Sequence, residues 1–183
     1  MPASVQGAER REHGPAVTFE ECFERVVGHE GKLSLARSDA GNWTGGKVGK
    51  GKLRGTMYGI SAAAYPSENI AAVTLDRARE LYRRDYWGPA GCDAMPAELR
   101  SHLFDLAVNS GVTTAIECLQ AAVGETVDGI LGPLTLQAVQ STPVLRIIAR
   151  LYGHRLRHLA SAAGWRDFGR GWAIRCADYL TTV

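Results

Sequence analysis

Long apolar runs are what this 183-residue chain lacks first. No hydrophobic stretch approaches the roughly 20 residues needed to span a bilayer. The first seventeen residues, MPASVQGAERREHGPAV, contain no apolar segment of the kind a secretory signal requires. Residues 1–17 read as a polar tail, so action outside the cytoplasm calls for release other than by a cleaved signal at this terminus. The four cysteines, Cys22, Cys92, Cys118 and Cys176, form no C-x-x-C pair and have no histidine at metal-ligand spacing, which argues against a zinc finger or ribbon. Cys22 and Cys118 fall on apolar helical stripes, where cysteine behaves as a small hydrophobe, and buried free thiols are expected. The lysine-rich KVGKGKLRG has neither the G-x-x-x-x-G-K-[ST] pattern nor the interleaved aromatics of a single-strand platform, so no nucleic-acid partner is expected. Repeats and low-complexity tracts are absent. Acidic residues are missing from Gly129 through Arg166, while Arg146, Arg150, Arg155, Arg157 and Arg166 supply five positive charges there.

With 45% hydrophobic and 22% charged residues, the composition is that of one compact domain, over residues 18–183. Helical periodicity dominates. T-F-E-E gives Thr18 the N-cap position of a first helix and Glu21 the return contact of a capping box; Cys22, Phe23, Val26 and Val27 then share one face. Residues 41–59 hold seven glycines and no helical period, which predicts loops and short strands. Helices resume at Leu75 to Trp87, at Ala97 to Asn109 before Gly111, and at Thr113 to Val123 before Gly124. VDGILGPLTLQAV reads as a tight turn with Pro133 at the first position of a short helix. In VLRIIARLYGHRLRHLA, Leu145, Ile148, Tyr152, Leu156 and Leu159 fall on one face and Arg146, Arg150, His154 and Arg157 on another. The basic face reads as a solvated helix surface or as a contact for anionic membrane headgroups or an acidic polymer. A last helix runs through GWAIRCADYL.

Continuing the first helix's apolar stripe by three or four residues lands on Glu30, just before Gly31. A carboxylate there is either paired, with Lys32 or with backbone amides, or placed so that desolvation holds its proton. Hydrolysis of a glycosidic bond needs such an acid to protonate the leaving oxygen, and a second group on the far side of the sugar to stabilise charge or position water. Asp39, with eight residues between it and Glu30, sits in a polar stretch that suits an ionised carboxylate, although Asp before a nearby glycine also makes local turn bonds.

At these residues, EGKLSLARSDAGNW followed by GTMYGI resembles the E-G-G-Y, D-P-G and T-x-x-G-I block of the glycoside hydrolase family 108 muramidases, which include phage-type endolysins. ELYRRDYW, LFDLAVNSG, CLQAAVG, VDGILGPLTLQAV and GWAIRC are similar to further family segments in the same order, extending the likeness over residues 19 to 180. The resemblance implies a mainly α, α+β lysozyme-like fold with a glycine-rich loop or short hairpin after the first helix. It implies a catalytic part at 18–124, and at 125–183 a helical part similar to a predicted peptidoglycan-binding segment. The implied activity is cleavage of the β-1,4 bond after N-acetylmuramic acid in peptidoglycan glycan strands, by a monomer that needs no metal or organic cofactor. Glu30 becomes the catalytic acid, and Asp39 the second carboxylate. The water-positioning threonine is Thr44 by spacing from Asp39 or Thr56 by the T-x-x-G-I context, with Thr56 favoured. Asn109, otherwise an ordinary helix C-terminal residue, is a candidate substrate hydrogen-bonder. Trp43, Tyr58, Tyr86 and Trp87 are either sugar-stacking or core aromatics. This chain departs from the family pattern at Lys32 and Leu33, after E-G, and at Ala40, where proline is usual. A lytic transglycosylase and a non-catalytic wall-binding protein remain alternative readings.

Overall fold

The computed structural model describes residues 17–28 and 32–181. The polar tail up to residue 16 and the candidate acid Glu30 lie outside the described residues. Helix α1 (Phe19–Val27) opens as expected: Glu21 N–H donates to Thr18 Oγ1 at 3.2 Å, and Thr18 N–H donates back to Glu21 Oε2 at 2.8 Å. Such a box satisfies two backbone donors that no helical carbonyl reaches. Cys22 and Phe23 are buried, and Val26 and Val27 pack against the core.

The remaining helices are α2 (Leu75–Tyr82), α3 (Ala97–Ser110), α4 (Val112–Val123), α5 (Pro133–Ser141), α6 (Val144–Ser161) and α7 (Trp165–Leu180). Helix α3 is the hub: α1, α4 and α6 all pack on it, α4 also packs on α6, and α7 packs on α6. Its residues Leu99, Leu103, Phe104, Leu106 and Ala107 are fully buried. Around Phe104 the rings of Phe19 and Trp87 meet edge to face, with centroids 5.3–5.9 Å apart in the three pairs. The fold is mainly helical and lysozyme-like. No described helix is long and apolar enough to cross a membrane.

Two local findings correct the helical count. The segment Leu75 to Trp87 is not one α-helix, because Arg83–Trp87 widens into a π-turn closed by Gly88 N–H on the Arg83 carbonyl. An α-helical count would leave Trp87 about 140° round from Tyr82. The π-turn's wider spacing rotates Trp87 back onto the core, where its Nε1–H donates to Asp93 Oδ1 at 2.9 Å. Trp87 is therefore a core residue. On α6 the apolar face is turned from the expected one: Ile147, Ile148, Leu151, Tyr152 and Leu159 are buried, whereas Leu145 is 61% exposed and Leu156 lies at the surface. Arg155 is on the buried face, 2% exposed. Helix α6 lies against three neighbours, so its orientation follows their combined surface rather than its own best apolar stripe.

The turn after α4 is organised by one buried side chain. Gln120 accepts from the N–H groups of Asp128 and Gly129 and donates to Asp128 Oδ1 at 2.7 Å and to the Ile130 carbonyl at 3.0 Å. Val127, Ile130 and Leu134 are left exposed around that turn. All four cysteines are free and buried, Cys22 and Cys118 on the apolar helical stripes where they were expected. Burial pushes the Cys22 thiol up to about 12 and that of Cys118 to about 11, which makes both inert as nucleophiles at neutral pH.

His102 is 2% exposed, with Nδ1 at 3.0 Å from the Tyr152 hydroxyl. Burial pushes its pKa from 6.5 down to about 4, helped by the charges of Arg25 and Arg155 and opposed by Asp105. The folded protein thus holds a neutral imidazole where the unfolded chain would begin to take up a proton below about pH 6.5. Stability should fall as pH drops from about 6.5 to about 4, by roughly 3 kcal/mol from this group, and level off below. Urea unfolding of wild type and His102→Gln at pH 7, 5 and 4 checks this, because the variant should lose that part of the slope.

Candidate active site

The glycine-rich stretch folds back on the segment that follows α1. Strands β1 (Thr56–Met57) and β2 (Ile60–Ser61) form an antiparallel hairpin in the register Thr56 to Ser61 and Met57 to Ile60. Ser34 bridges to Thr56 on the other edge, with N–H to carbonyl distances of 2.9 and 3.0 Å. The chain four residues beyond Glu30 is therefore pinned to Thr56. The hairpin turn is Tyr58–Gly59, with φ of +49° and +76°. Both central positions require the left-handed region that a tight two-residue hairpin uses. Tyrosine is an unusual occupant of the first, and glycine is required at the second, where an added Cβ would come within 2.2 Å of the Tyr82 hydroxyl.

Asn42 is the organiser of this region, and sequence reasoning overlooked it. It is fully buried: its Nδ2 donates to the Ala36 carbonyl at 3.0 Å and lies 3.5 Å from Ser34 Oγ, while its Oδ1 accepts from Thr56 Oγ1 at 2.7 Å. Its backbone carbonyl accepts from Arg54 and Gly55. One residue thus ties the Ser34 segment, the turn at 40–42 and β1 together. The only sequence signal was its place between Gly41 and Trp43 in a stretch that needed a polar anchor.

The candidate residues are distributed as follows. Asp39 caps the short 3-10 turn Ala40–Asn42, is exposed, and accepts from Gly41 N–H through Oδ1 at 2.8 Å. Trp43 is half-buried and donates through Nε1 to the Arg37 carbonyl at 3.0 Å. Thr44 is committed to its own loop, accepting from Lys52 N–H at 2.9 Å. Thr56 donates to Asn42, which leaves its hydroxyl lone pairs as acceptors. Asp39, Asn42 and Thr56 belong to one hydrogen-bonded cluster, in which Asn42 N–H donates to the Asp39 carbonyl and Thr56 to the Asn42 side chain, whereas Trp43 bonds to Arg37 and Ala40 instead. Asn109 belongs to another: its Nδ2 donates to the Asp105 carbonyl at 2.7 Å and to Asp105 Oδ1 at 3.1 Å.

Period-two alternation splits the strand at Ser34 between two faces. Ser34 looks toward Asn42, whereas Leu33 and Leu35 line a cleft of about 640 Å³ together with Leu53, Arg54 and Asn69. Removing the Thr56 hydroxyl would leave Asn42 Oδ1 buried with one acceptor unmet. Thr56→Val is expected to lower unfolding free energy by about 1–3 kcal/mol, measured by urea titration.

Asp105, on the buried hub helix, is completely inaccessible and is clasped by two guanidinium groups. Arg155 Nη1 lies 2.7 Å from Oδ2, and Arg175 Nε lies 2.7 Å from Oδ1. Burial is the largest single influence and works against the Arg175 charge, but the hydrogen bond to Asp105, the attraction of that carboxylate and the contact with Tyr179 together outweigh it and hold the pKa above the ordinary arginine value. The signal for this cluster was present in LFDLAVNSG, an acid on an otherwise apolar helix.

A helical body carrying a small bridged hairpin and a polar turn directly after its first helix defines the class as a lysozyme-like glycoside hydrolase fold. Comparison with known proteins bears on the class directly. Residues 23–111 match the model of the glycosyl hydrolase 108 family. Among solved structures, that of Brucella abortus SagA is similar with a TM-score of 0.75 and 29% sequence identity, covering 90% of this chain and 92% of that one. No curated protein matches. The match to that family indicates a glycoside hydrolase, of a kind that points to peptidoglycan as substrate.

Proposed function

We propose that the protein is an N-acetylmuramidase that cleaves the β-1,4 bond between N-acetylmuramic acid and N-acetylglucosamine. The observation that carries this reading is the family match over residues 23–111, because every candidate site residue falls inside it. Glu30 protonates the glycosidic oxygen as the bond breaks. Asp39 stabilises the positive charge that develops on the sugar or orients water, and Thr56 helps to hold that water through its free lone pairs. Trp43, Tyr58 and Asn109 contact the glycan. The split between a catalytic part at 18–124 and a wall-binding helical part at 125–183 belongs to the same proposal, as does action on the wall by a monomer.

The environment of Asp39 supports its role, since its carboxylate is exposed and accepts a backbone N–H. Exposure also limits its weight. A unit charge about 4 Å from the developing cation is worth about 1 kcal/mol in water and about 4 at a protein surface. With the lower end favoured, Asp39→Asn should slow cleavage about tenfold, as read from reducing-end release on purified peptidoglycan. The exposed Arg146, Arg150 and Arg157 on α6 support peripheral contact with an anionic surface; Arg155 is excluded from that surface by its burial.

The deciding experiment is digestion of purified peptidoglycan, with mass spectrometry of the new sugar ends. Reducing N-acetylmuramic acid ends are expected. Anhydro ends would place the enzyme among lytic transglycosylases, and no products at all would point to a binding protein.

A further inference from the structure

Helix α7 carries its core-facing stripe past the edge of the core. Cys176 and Tyr179 on that stripe are buried and Trp172 is half-buried, but Trp165 is 38% exposed and Phe168 61% exposed. By the 100° step of an α-helix, both rings lie on the same side as the buried pair. The rings are held together rather than left loose. Trp165 and Phe168 each meet Trp172 at a tilt, with centroids 6.3 and 6.0 Å away. Two glycines make room for them: a Cβ on Gly169 would come within 2.7 Å of the Trp165 ring, and one on Gly164 within 3.1 Å of Trp172 and 3.2 Å of Phe168. Glycine inside a helix costs stability, so its use at 169 follows from the ring laid over it.

Charge decides what covers this patch. Residues 129–183 hold seven arginines and two acids, Asp167 and Asp178. Arg155 and Arg175 are committed to Asp105, which leaves five arginines against the two acids. Arg166 and Arg170 are exposed, and each is two residues from Phe168, about 160° round the helix from it. The first two turns of α7 thus have an aromatic side and a cationic side, with Asp167 the one acid among them. A helix of this pattern lies in a membrane interface, its rings at the acyl boundary and its arginine stems bent toward lipid phosphates. A second copy of the chain would set the same arginines against one another across a two-fold contact. A glycan would meet the rings and leave the arginines without anions, and stem peptides would supply carboxylates but no hydrocarbon for the rings.

We propose that the N-terminal half of α7 is a membrane anchor, which seats Trp165 and Phe168 at the acyl boundary of a leaflet rich in anionic lipid. It goes beyond the attraction of an anionic surface to the α6 arginines, because it fixes one edge of the protein in the bilayer by apolar insertion. It uses no group of the candidate active site, so it stands or falls apart from the hydrolase reading.

Pelleting of the full chain with lipid vesicles tests the anchor, using phosphatidylcholine alone and phosphatidylcholine with about 30% phosphatidylglycerol. Binding to the mixed vesicles should be at least about tenfold tighter, since each arginine near an anionic leaflet contributes severalfold. Phe168→Ser should weaken it about tenfold by taking a large apolar side chain out of the acyl boundary, with Tm within about 2 °C of wild type because the ring lies mostly outside the core. Arg166→Gln combined with Arg170→Gln should weaken it to a similar degree. Brominated acyl chains should quench the tryptophan emission, and Trp165→Phe should remove most of that quenching while keeping most of the binding. No binding to the mixed vesicles, binding undiminished by Phe168→Ser, or binding without acyl-chain quenching would each overturn the anchor; in the second case, loss of binding in Arg146→Gln with Arg150→Gln would keep the α6 contact and reject only this one. A dimer that Phe168→Ser dissociates would give the patch to a second copy, and loss of binding to lipid-free peptidoglycan with vesicle binding intact would give it to the wall; either overturns the anchor. These readouts need no turnover, so a protein that binds vesicles and releases no sugar ends keeps the anchor and loses the hydrolase reading alone.

Discussion

Glu30→Gln should reduce the release of sugar ends from peptidoglycan by at least about 100-fold, while Tm stays within about 2 °C of wild type. The amide has nearly the shape and volume of the acid but carries no proton that a leaving oxygen can take. General acid catalysis contributes about 10²–10⁴-fold in well-studied cases, so loss near the lower bound already distinguishes a chemical role from a packing one. The pH profile adds a second readout. An acid must be protonated to act, so wild-type kcat should fall as pH rises through the pKa of Glu30, and any residual activity of the variant should lack that limb. Retention of more than a tenth of the activity would remove Glu30 from the mechanism. A Tm lowered by 10 °C or more would give it a structural part instead.

The second large effect concerns stability. Asp105→Asn removes the one charge that faces Arg155 and Arg175 in a site where Asp105 is wholly buried and Arg155 is 2% exposed. Removing one partner of a buried ion pair typically costs about 3–5 kcal/mol, because the remaining charge keeps its desolvation penalty without its Coulomb partner. For a domain of this length that corresponds to a fall in Tm of roughly 6–20 °C, measurable by circular dichroism. Arg175, a third exposed, can turn toward water, so Arg155 carries most of the penalty. The double variant Asp105→Leu with Arg155→Met should regain much of the loss, since apolar replacement of a buried pair is often neutral. A single variant as stable as wild type would mean that water reaches the cluster and screens it.

The cluster also bears on Asn109. Asp105 Oδ1 accepts from both Asn109 Nδ2 and Arg175, so the orientation of the Asn109 amide depends on a carboxylate one helical turn earlier and on a helix 70 residues away in sequence. Asp105→Asn should therefore loosen Asn109 together with the fold.

Much of the helical framework was legible in the residues. The T-F-E-E box, the glycines at 111 and 124 and Pro133 each act through bonds or dihedrals within a few residues, so each marks an element end without knowledge of the rest of the chain. The glycine-rich stretch was legible as non-helical for the same reason. Its internal connections were not, because the Ser34 to Thr56 bridge and the hydrogen bond from Thr56 to Asn42 join positions 14 to 22 residues apart, with no periodicity between them.

Periodicity misled where several neighbours compete for one helix. Counting alone put Leu145 and Leu156 on the buried face of α6 beside Ile148, Tyr152 and Leu159 and left Arg155 unassigned, but contacts with α3, α4 and α7 buried only the last three of these and brought Ile147, Leu151 and Arg155 in with them. In the same manner, the fit of Trp87 beside Phe19 and Phe104 determined where α2 gives way to a π-turn.

The sequence by itself determined where the helices start and stop, that the thiols are buried, and which family's residue pattern the chain carries, because these depend on local dihedrals, apolar spacing and residue identity. Tertiary structure alone decided that Asn42 anchors the loop, that Asp39 caps a turn at the surface, and that Arg155 and Arg175 converge on Asp105. Those arrangements depend on which distant groups meet once the chain has closed, and the free energy of a buried polar contact is set by its partner and its access to water.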